Sequence, residues 1–337
     1  MELHARGLRE SGVAATTLYL EDALSLGPAG ARMPGAALLV RQLPRLWRER
    51  PDVVNVHTLA APAWLLARRA GLVRARVVVM SYAADERGLP PGGGARAALR
   101  RARIALPARA LFPGADGIWC VNAEDAAFYE AEYRVPRERI AVIPHAIEDA
   151  FFVSAGATRN WSQILFVGTW IPRKGSDVLE RCLPEVLDRA PGARVVLAGT
   201  LAPERAVRER FPPRLQERIQ VHPRLDDAAL RDLYGSSGLL LVPSRLEGLP
   251  FSLLEALAGG CPALAAAHSG MRDVVVHGET GWLLGSLAPD AWAQRVVGLL
   301  GDEAARRRAS EAARLAAERF RLPDLTRRTL AWYESLR

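Results

Sequence analysis

The chain reads as an α/β protein made of two Rossmann-like domains, each built on a parallel sheet. Three observations predict this. Apolar strand-like runs alternate with helical patterns along the whole chain, which is how parallel strands joined by crossover helices appear in sequence. The 337 residues allow two domains of ordinary size, each with its own core. A polar stretch, SAGATRNWS (154–162), breaks the alternation, which then restarts. The boundary is placed at 153/154. Ligands are expected in a cleft faced by both sheets, where loops leave the C-terminal strand ends.

In the first half, strands are read at 13–20, 52–58, 75–81, 117–122 and 140–144, with helices at 36–49, 61–70 and 123–133. Residues 84–95 hold Gly88, Pro90, Pro91 and three glycines from Gly92, and read as a loop. The chain opens with a helix-like segment, 2–11, followed by what reads as the second strand of a doubly wound domain. Either the encoded start lies downstream of the true one, or this domain lacks its first strand and the glycine turn after it. In the second half, strands are read at 163–169, 193–200, 218–224, 238–244 and 261–267. Helices are read at 176–189, 203–210, 226–236 and 251–258. Residues 290–318 read as one or two Ala/Arg-rich helices, and 323–336 as a final helix.

Composition bounds the function. With 50% hydrophobic and 24% charged residues the chain is globular, not disordered. Cys120, Cys182 and Cys261 are odd in number and far apart, so they suggest neither disulfides nor a metal site and fit a reducing cytosol. No apolar run reaches membrane-spanning length: Arg68 ends 59–67, and Glu255 with two glycines interrupts 253–267. The N-terminal MELHARGLRESG carries charges where a signal peptide needs an apolar region.

The formal charge is +8, but of 45 basic residues only Lys174 is a lysine. That skew points to coding bias rather than to nucleic-acid binding, for which no motif is present. The excess is regional. Residues 41–109 hold 14 arginines and 4 acids, and include AALRRARIALPARALF (97–112). Two readings stay open: peripheral docking on the inner face of an anionic membrane, or a solvated helix face.

Two segments carry chemistry. PSRLEGLPFSLLEALAGG (243–260) follows an apolar strand and enters a helix near Phe251. Pro250 suits a helix entrance, Gly248 permits close backbone approach, and a helix N-terminus after a tight turn attracts anions. Glu255 lies about one turn into the helix, where a carboxylate can accept two ribose hydroxyls. Glu247, before the helix, can reach an attached sugar. On helix logic alone the pair reads as readily as a surface glutamate and a capping one. FVGTWIPRKGSDVL (166–179) also joins a strand to a helix, and places Arg173 and Lys174 at its entrance. There they can neutralise a diphosphate, the arginine as a fork and the lysine as a point charge. A solvated basic pair is the alternative. The order K-G-S is not that of a P-loop.

Together, G-x-x-x-P-R-K-G (168–175), P-S-R-x-E-G-L-P-x-x-L-L-E-A-x-A-x-G-x-P (243–262) and HSGMRDVVVHGETGWL (268–283) resemble the family 4 retaining glycosyltransferases of the GT-B fold. The resemblance is close over 160–284 and weaker over PDVVNVH (51–57), ERIAVIPHAIEDAFF (138–152) and the last helix. It implies a GT-B arrangement: an acceptor-side domain (1–153), a nucleotide-sugar-binding domain (154–319) and a C-terminal helix (320–337) returning to the first domain. It implies transfer from a nucleotide-diphosphate sugar, such as a UDP-, GDP- or ADP-sugar, to a glycan, lipid-linked or small-molecule acceptor, without metal or cofactor. The adjacent Asp226 and Asp227 do not make a D-x-D motif. By the family's pattern Glu255 binds ribose, Glu247 the donor sugar, and backbone at Gly248, Leu249, Pro250 and Phe251 the diphosphate. Lys174 and Arg173 balance the leaving charge, Gly168 and Thr169 open the donor loop, and Leu225 lies near the base. Glu247, Lys174 and Arg173 are the candidate catalytic residues.

The sequence departs from the family in several places. Thr169 stands where an arginine is usual. Tyr82 stands where an acceptor-side histidine is usual, and a phenol is a poor base at neutral pH. His145 replaces the asparagine of a P-N-G segment. His57, Tyr82 and His145 are the candidate acceptor-side residues. Three other readings follow: a nucleotide-sugar-binding relative that has lost transfer, a GT-B sugar-nucleotide epimerase, and a nucleic-acid binder. The P-S-R-x-E-G-L-P segment favours a transferase over an epimerase, and no recognised motif or Arg/Lys-aromatic platform supports nucleic-acid binding.

Overall fold

The computed structural model describes residues 2–15, 34–58, 60–81, 106, 108–152 and 159–336. The chain divides into two compact units, Met1–Pro144 with Pro323–Arg337, and His145–Leu322. Each holds an all-parallel sheet flanked by helices, as the alternation of strand and helix patterns predicts. The units part at 144/145, whereas composition places a boundary at 153/154. Residues 145–152 go with the second unit through a bridge from Ile147 to Arg321 and a contact between the rings of Phe151 and Tyr234. Of the polar stretch 154–162, residues 160–162 are already strand.

In the first unit the described sheet runs β1 (Val53–His57), β2 (Arg76–Ser81), β3 (Gly117–Cys120) and β4 (Ile140–Val142), in that spatial order. Helices α1 (Glu2–Glu10), α2 (Pro34–Glu49), α3 (Ala61–Arg69) and α4 (Ala123–Tyr133) accompany it. β2 is apolar from Val77 to Met80 because both faces of a parallel sheet are covered. Val77 and Val79 join a core with Trp64, Leu65, Phe112, Ile118 and Tyr129. Trp119 meets the ring of His4 from α1 edge-on, with centroids 5.0 Å apart. Asn122 caps α4, its side chain accepting the Asp125 N–H at 2.8 Å. The strand read at 13–20 falls, from residue 16 on, outside the described residues. So do the loop at 84–95, Tyr82 and most of 97–112.

The second unit holds β5 (Asn160–Val167), β6 (Arg194–Ala198), β7 (Ile219–His222), β8 (Ser237–Val242), β9 (Ala263–Ala266) and β10 (Gly281–Leu284). Their order is β10-β9-β8-β5-β6-β7. β5 and β8 are central neighbours, and the chain builds outward from them in opposite directions. Such a reversal is where open α/β sheets take their ligands. The helices are α5 (Ser176–Arg189), α6 (Glu204–Arg208), α7 (Asp227–Ser236), α8 (Phe251–Ala258), α9 (Gly270–Val274), α10 (Pro289–Gly301) and α11 (Glu303–Ala317). The Ala/Arg-rich stretch is thus two helices, parted at Asp302, whose carboxylate accepts the Ala305 N–H at 2.9 Å. β10 and α9 are too short to stand out by periodicity.

A last helix, α12 (Leu322–Ser335), belongs from Pro323 onward to the first unit. Tyr333 receives a hydrogen bond from the Asn55 amide of β1, and Arg328 donates to the Val142 carbonyl of β4 at 3.0 Å. The Trp332 ring stands edge-on to Trp119, with centroids 6.3 Å apart.

Candidate active site at the centre of the second sheet

Two loops meet at the reversal of strand order. One leaves β5. Its Gly168 N–H donates to the Ala198 carbonyl at 2.9 Å and its Trp170 N–H to the Thr200 carbonyl at 2.8 Å, which ties the loop to the end of β6. Thr169 lies half-buried between them. Residues 172–174 form one 3₁₀ turn, and Gly175 then enters α5 with φ at 83°. A side chain suits neither that backbone nor the space, since a Cβ would overlap the Pro243 carbonyl.

The other loop leaves β8 through Pro243. The Arg245 N–H donates to the Arg173 carbonyl at 2.8 Å. The Arg245 guanidinium grips both oxygens of Asp177 on α5, at 2.6 and 2.7 Å, and also reaches the Pro172 carbonyl. This clamp brings the two motifs together. Lys174 Nζ stands 2.6 Å from Glu247 Oε1, and an Arg173 nitrogen 3.6 Å from the same oxygen. Arg173 also donates to the Leu246 carbonyl at 3.1 Å. Glu247 is buried, so two cations facing one of its oxygens offset the cost of taking that charge out of water.

A third segment supports the second loop. His268 Nε2 lies 2.7 Å from the Ser244 carbonyl, and the Gly270 N–H donates to the Gly248 carbonyl at 3.0 Å. A Cβ at 270 would overlap that carbonyl and stand 3.0 Å from Leu249 Cα. Ser269, before it, holds a left-handed backbone at φ 49°. The H-S-G turn thus presses on Gly248 and buried Leu249. Pro250 occupies the N-cap of α8, and Phe251 is its first helical residue. The helix begins where its unpaired N–H groups and positive dipole end favour an anion.

Phe251 is half exposed and stacks on the buried ring of His145, with centroids 4.3 Å apart and planes at 17°. Glu255, one turn further in, accepts a hydrogen bond from Tyr234 Oη at 3.0 Å on Oε2. Burial pushes the Glu255 carboxyl up to about 7; the Tyr234 hydroxyl acts against this, while the charges of Asp227 and Glu148 add to it.

The structure therefore gathers Arg173, Lys174, Glu247 and the backbone at 248–251 at one place. Leu225 follows β7 and is half-buried on the loop to α7. His145, read from the sequence as acceptor-side, lies in the second unit against Phe251. His57 ends β1 in the first unit, exposed, and Tyr82 is outside the described residues. Among the described residues no group of three or more His, Cys, Asp or Glu side chains is placed to hold a metal ion. Sequence reasoning misses Tyr234, Asp177 and the clamping role of Arg245. Asp177 and Arg245 are 68 residues apart, and Tyr234 reads as one more apolar helix residue.

Two family models match the chain. The family model described as "Glycosyl transferases group 1" matches residues 149–316, and that described as "Glycosyltransferase Family 4" matches residues 5–151. The D-inositol 3-phosphate glycosyltransferase of Xylanimonas cellulosilytica is 31% identical over 224 residues, 61% of this chain and 53% of that protein. The enzyme of the same name from Corynebacterium efficiens is 28% identical over 82% of this chain and 63% of its own length. The chain spans about half the length of the curated relatives it matches. Sucrose-phosphate synthase from Thermosynechococcus elongatus superposes with a TM-score of 0.72 at 18% identity, over 90% of this chain and 78% of that one. HepE of Anabaena, in complex with UDP-glucose, superposes with a TM-score of 0.70 at 16% identity, over 97% and 88%.

Proposed function

Because the chain belongs to the group 1, family 4 glycosyltransferases, we propose that it moves a sugar from a nucleotide-diphosphate sugar to an acceptor hydroxyl, with retention at the anomeric carbon. The observation that carries this reading is the meeting of Lys174 and Arg173 with Glu247 beside the entrance of α8. Glu255 takes the ribose hydroxyls, Glu247 the hydroxyls of the donor sugar, and Leu225 borders the base. In the reaction the bond from the anomeric carbon to the diphosphate breaks, and its electron pair leaves with the phosphate oxygen. The acceptor oxygen bonds to that carbon on the same face and passes its proton to the departing phosphate oxygen. Lys174, Arg173 and the N-terminus of α8 stabilise the departing negative charge from fixed positions, which is where such electrostatics count most.

The relatives' name, D-inositol 3-phosphate glycosyltransferase, makes a sugar-alcohol phosphate the first acceptor to try, before glycans and lipid-linked sugars. His57 and Tyr82 of the first unit are the residues we assign to it. The test is a thermal-shift panel of UDP-, GDP- and ADP-sugars, followed by transfer assays with the sugar that binds, since a ligand that prefers the native state raises its melting temperature. Lys174→Ala and Glu255→Ala should each abolish the shift. A shift that survives both changes sinks the assignment. Binding without transfer to any acceptor would instead favour a nucleotide-sugar-binding protein that has lost catalysis.

Peripheral contact of residues 41–109 with an anionic membrane is part of the same proposal. On α2, Arg41 and Arg48 are exposed together with Val40 and Trp47, and the Trp47 indole donates to the carbonyl of exposed Leu72 at 3.0 Å. Basic and apolar side chains side by side suit a headgroup boundary. Among the described residues no helix is long and apolar enough to cross a membrane. Flotation with anionic liposomes at low salt tests the contact, and absence of the protein from the floated fraction ends the idea.

A further inference from the structure

Tyr234 belongs to none of the motifs, yet among the described residues its hydroxyl is the one hydrogen-bond partner of the Glu255 carboxylate, donating to Oε2 at 3.0 Å. The ring is fully buried on α7, and its place is fixed from several directions. Gly259, just past α8, leaves room for it: a Cβ there would stand 3.0 Å from Tyr234 Cβ. Arg159 ties the ends of α7 and α8 together, donating to the Tyr234 carbonyl at 3.1 Å and to the Gly259 carbonyl at 3.0 Å. The Phe151 ring lies 6.2 Å away. The hydroxyl is therefore a rigid donor set against a side chain that would otherwise rotate freely at a cost in entropy on binding.

We infer that Tyr234 is a positioning residue for the nucleotide: by holding Oε2 of Glu255 it presets Oε1 to accept a ribose hydroxyl, and so sets the preference for ribonucleotides over 2′-deoxyribonucleotides. The inference rests on the proposal that Glu255 receives the ribose. The surroundings explain why one hydroxyl matters. Asp227 of α7 and Glu148 face Glu255 with like charge. Two guanidiniums that bond or stack on its neighbours are engaged there, Arg159 on main-chain carbonyls and Arg231 over the Phe151 ring. No cation forms an ion pair with Glu255 among the described residues, so the charged carboxylate leans on the tyrosine. Removing that hydroxyl disfavours the charged form, and charge-assisted hydrogen bonds to a ligand are the stronger kind.

The experiment is calorimetric titration of wild type, Tyr234→Phe, Glu255→Gln and the double variant. The ligands are UDP, GDP and ADP, and the 2′-deoxy form of whichever binds tightest, from about pH 5.5 to 8.5, the range over which a perturbed carboxyl of this kind titrates. Wild-type affinity should rise with pH as Glu255 loses its proton, and should favour the ribonucleotide. Tyr234→Phe, which keeps the ring, should bind about tenfold more weakly at pH 7. Its pH midpoint should move upward and its ribo-to-deoxy ratio should fall. In the Glu255→Gln background the tyrosine change should alter neither midpoint nor ratio. Uniform weakening of Tyr234→Phe, with midpoint and ratio unchanged, would mean a packing role only and overturns the inference while leaving the donor proposal intact. A wild-type chain that binds none of the three nucleotides overturns the donor proposal itself.

Discussion

Replacing Glu255 by glutamine should make the second unit more stable at neutral pH while it weakens nucleotide binding. An exposed glutamate titrates at 4.5, and burial inside the second sheet's ligand end moves this one to about 7. A group whose folded value is raised contributes stability that is complete below its unfolded value and is lost as pH rises through the folded one. Wild type should therefore lose stability through Glu255 between pH 4.5 and 7, and the glutamine variant should not. The two values lie about 2.5 pH units apart, worth about 3 kcal/mol at about 1.4 kcal/mol per unit. That is an upper figure, because Glu255 is only partly shielded from water. For a unit of this size it corresponds to a melting temperature raised by about 5–10 °C. Glutamine can still accept the Tyr234 hydrogen bond, so little else changes. Differential scanning calorimetry of both chains at pH 8 and pH 4.5 checks this. The variant should melt higher at pH 8, and the gap should close at pH 4.5. A variant no more stable than wild type at pH 8, or a gap independent of pH, would refute the reasoning. With the expected gap at pH 8, function is the reason an acidic residue persists at a place where it destabilises the fold.

Other outcomes follow from the same geometry. Arg245→Ala should cost under about 1 kcal/mol, because the Asp177 pair is solvent-exposed, yet it should weaken nucleotide binding several-fold by releasing the 172–174 turn; an unchanged calorimetric Kd would count against the clamp. Gly175→Ala should cost about 3 kcal/mol or more, since it places a Cβ on the Pro243 carbonyl at a left-handed position, and urea midpoints would register the loss. In the first unit, burial raises the Asp116 carboxyl, but the Val77 N–H and the guanidiniums of Arg68 and Arg76 outweigh it and hold the group below its usual range. Its contribution is present above the ordinary aspartate value and is lost as pH falls through the folded one. The stability gap between wild type and Asp116→Asn, followed by denaturant titration, should accordingly shrink on acidification.

What the sequence carries of this molecule is what is local. The runs at 75–81 and 193–200 are apolar because parallel strands are buried on both faces, and they are strands. The E-x7-E spacing shows that Glu247 and Glu255 flank a helix entrance. It does not show that Lys174 lies on Glu247, because that contact depends on β5 and β8 being neighbours, which no periodicity encodes. The same holds for Asp177 with Arg245 and for Tyr234 with Glu255, where each partner comes from a different crossover. The boundary at 144/145 escapes composition for a related reason. Residues 145–152 look no different from the strand before them, and only the partners of Ile147 and Phe151 assign them to the second unit. β10 and α9, of four and five residues, are shorter than the window over which a pattern can be read.

The hydrogen bond from Asn55 to Tyr333 spans 278 positions of the chain. It sets an order of completion during synthesis. All of the second unit leaves the ribosome before the helix that covers Trp119 exists. At about 5–20 residues per second, the strands of the first unit wait on the order of 10–40 s after their own translation for α12. The later-made unit is thus the earlier to finish, and the sheet begun first waits for the helix that brings Trp332 onto Trp119.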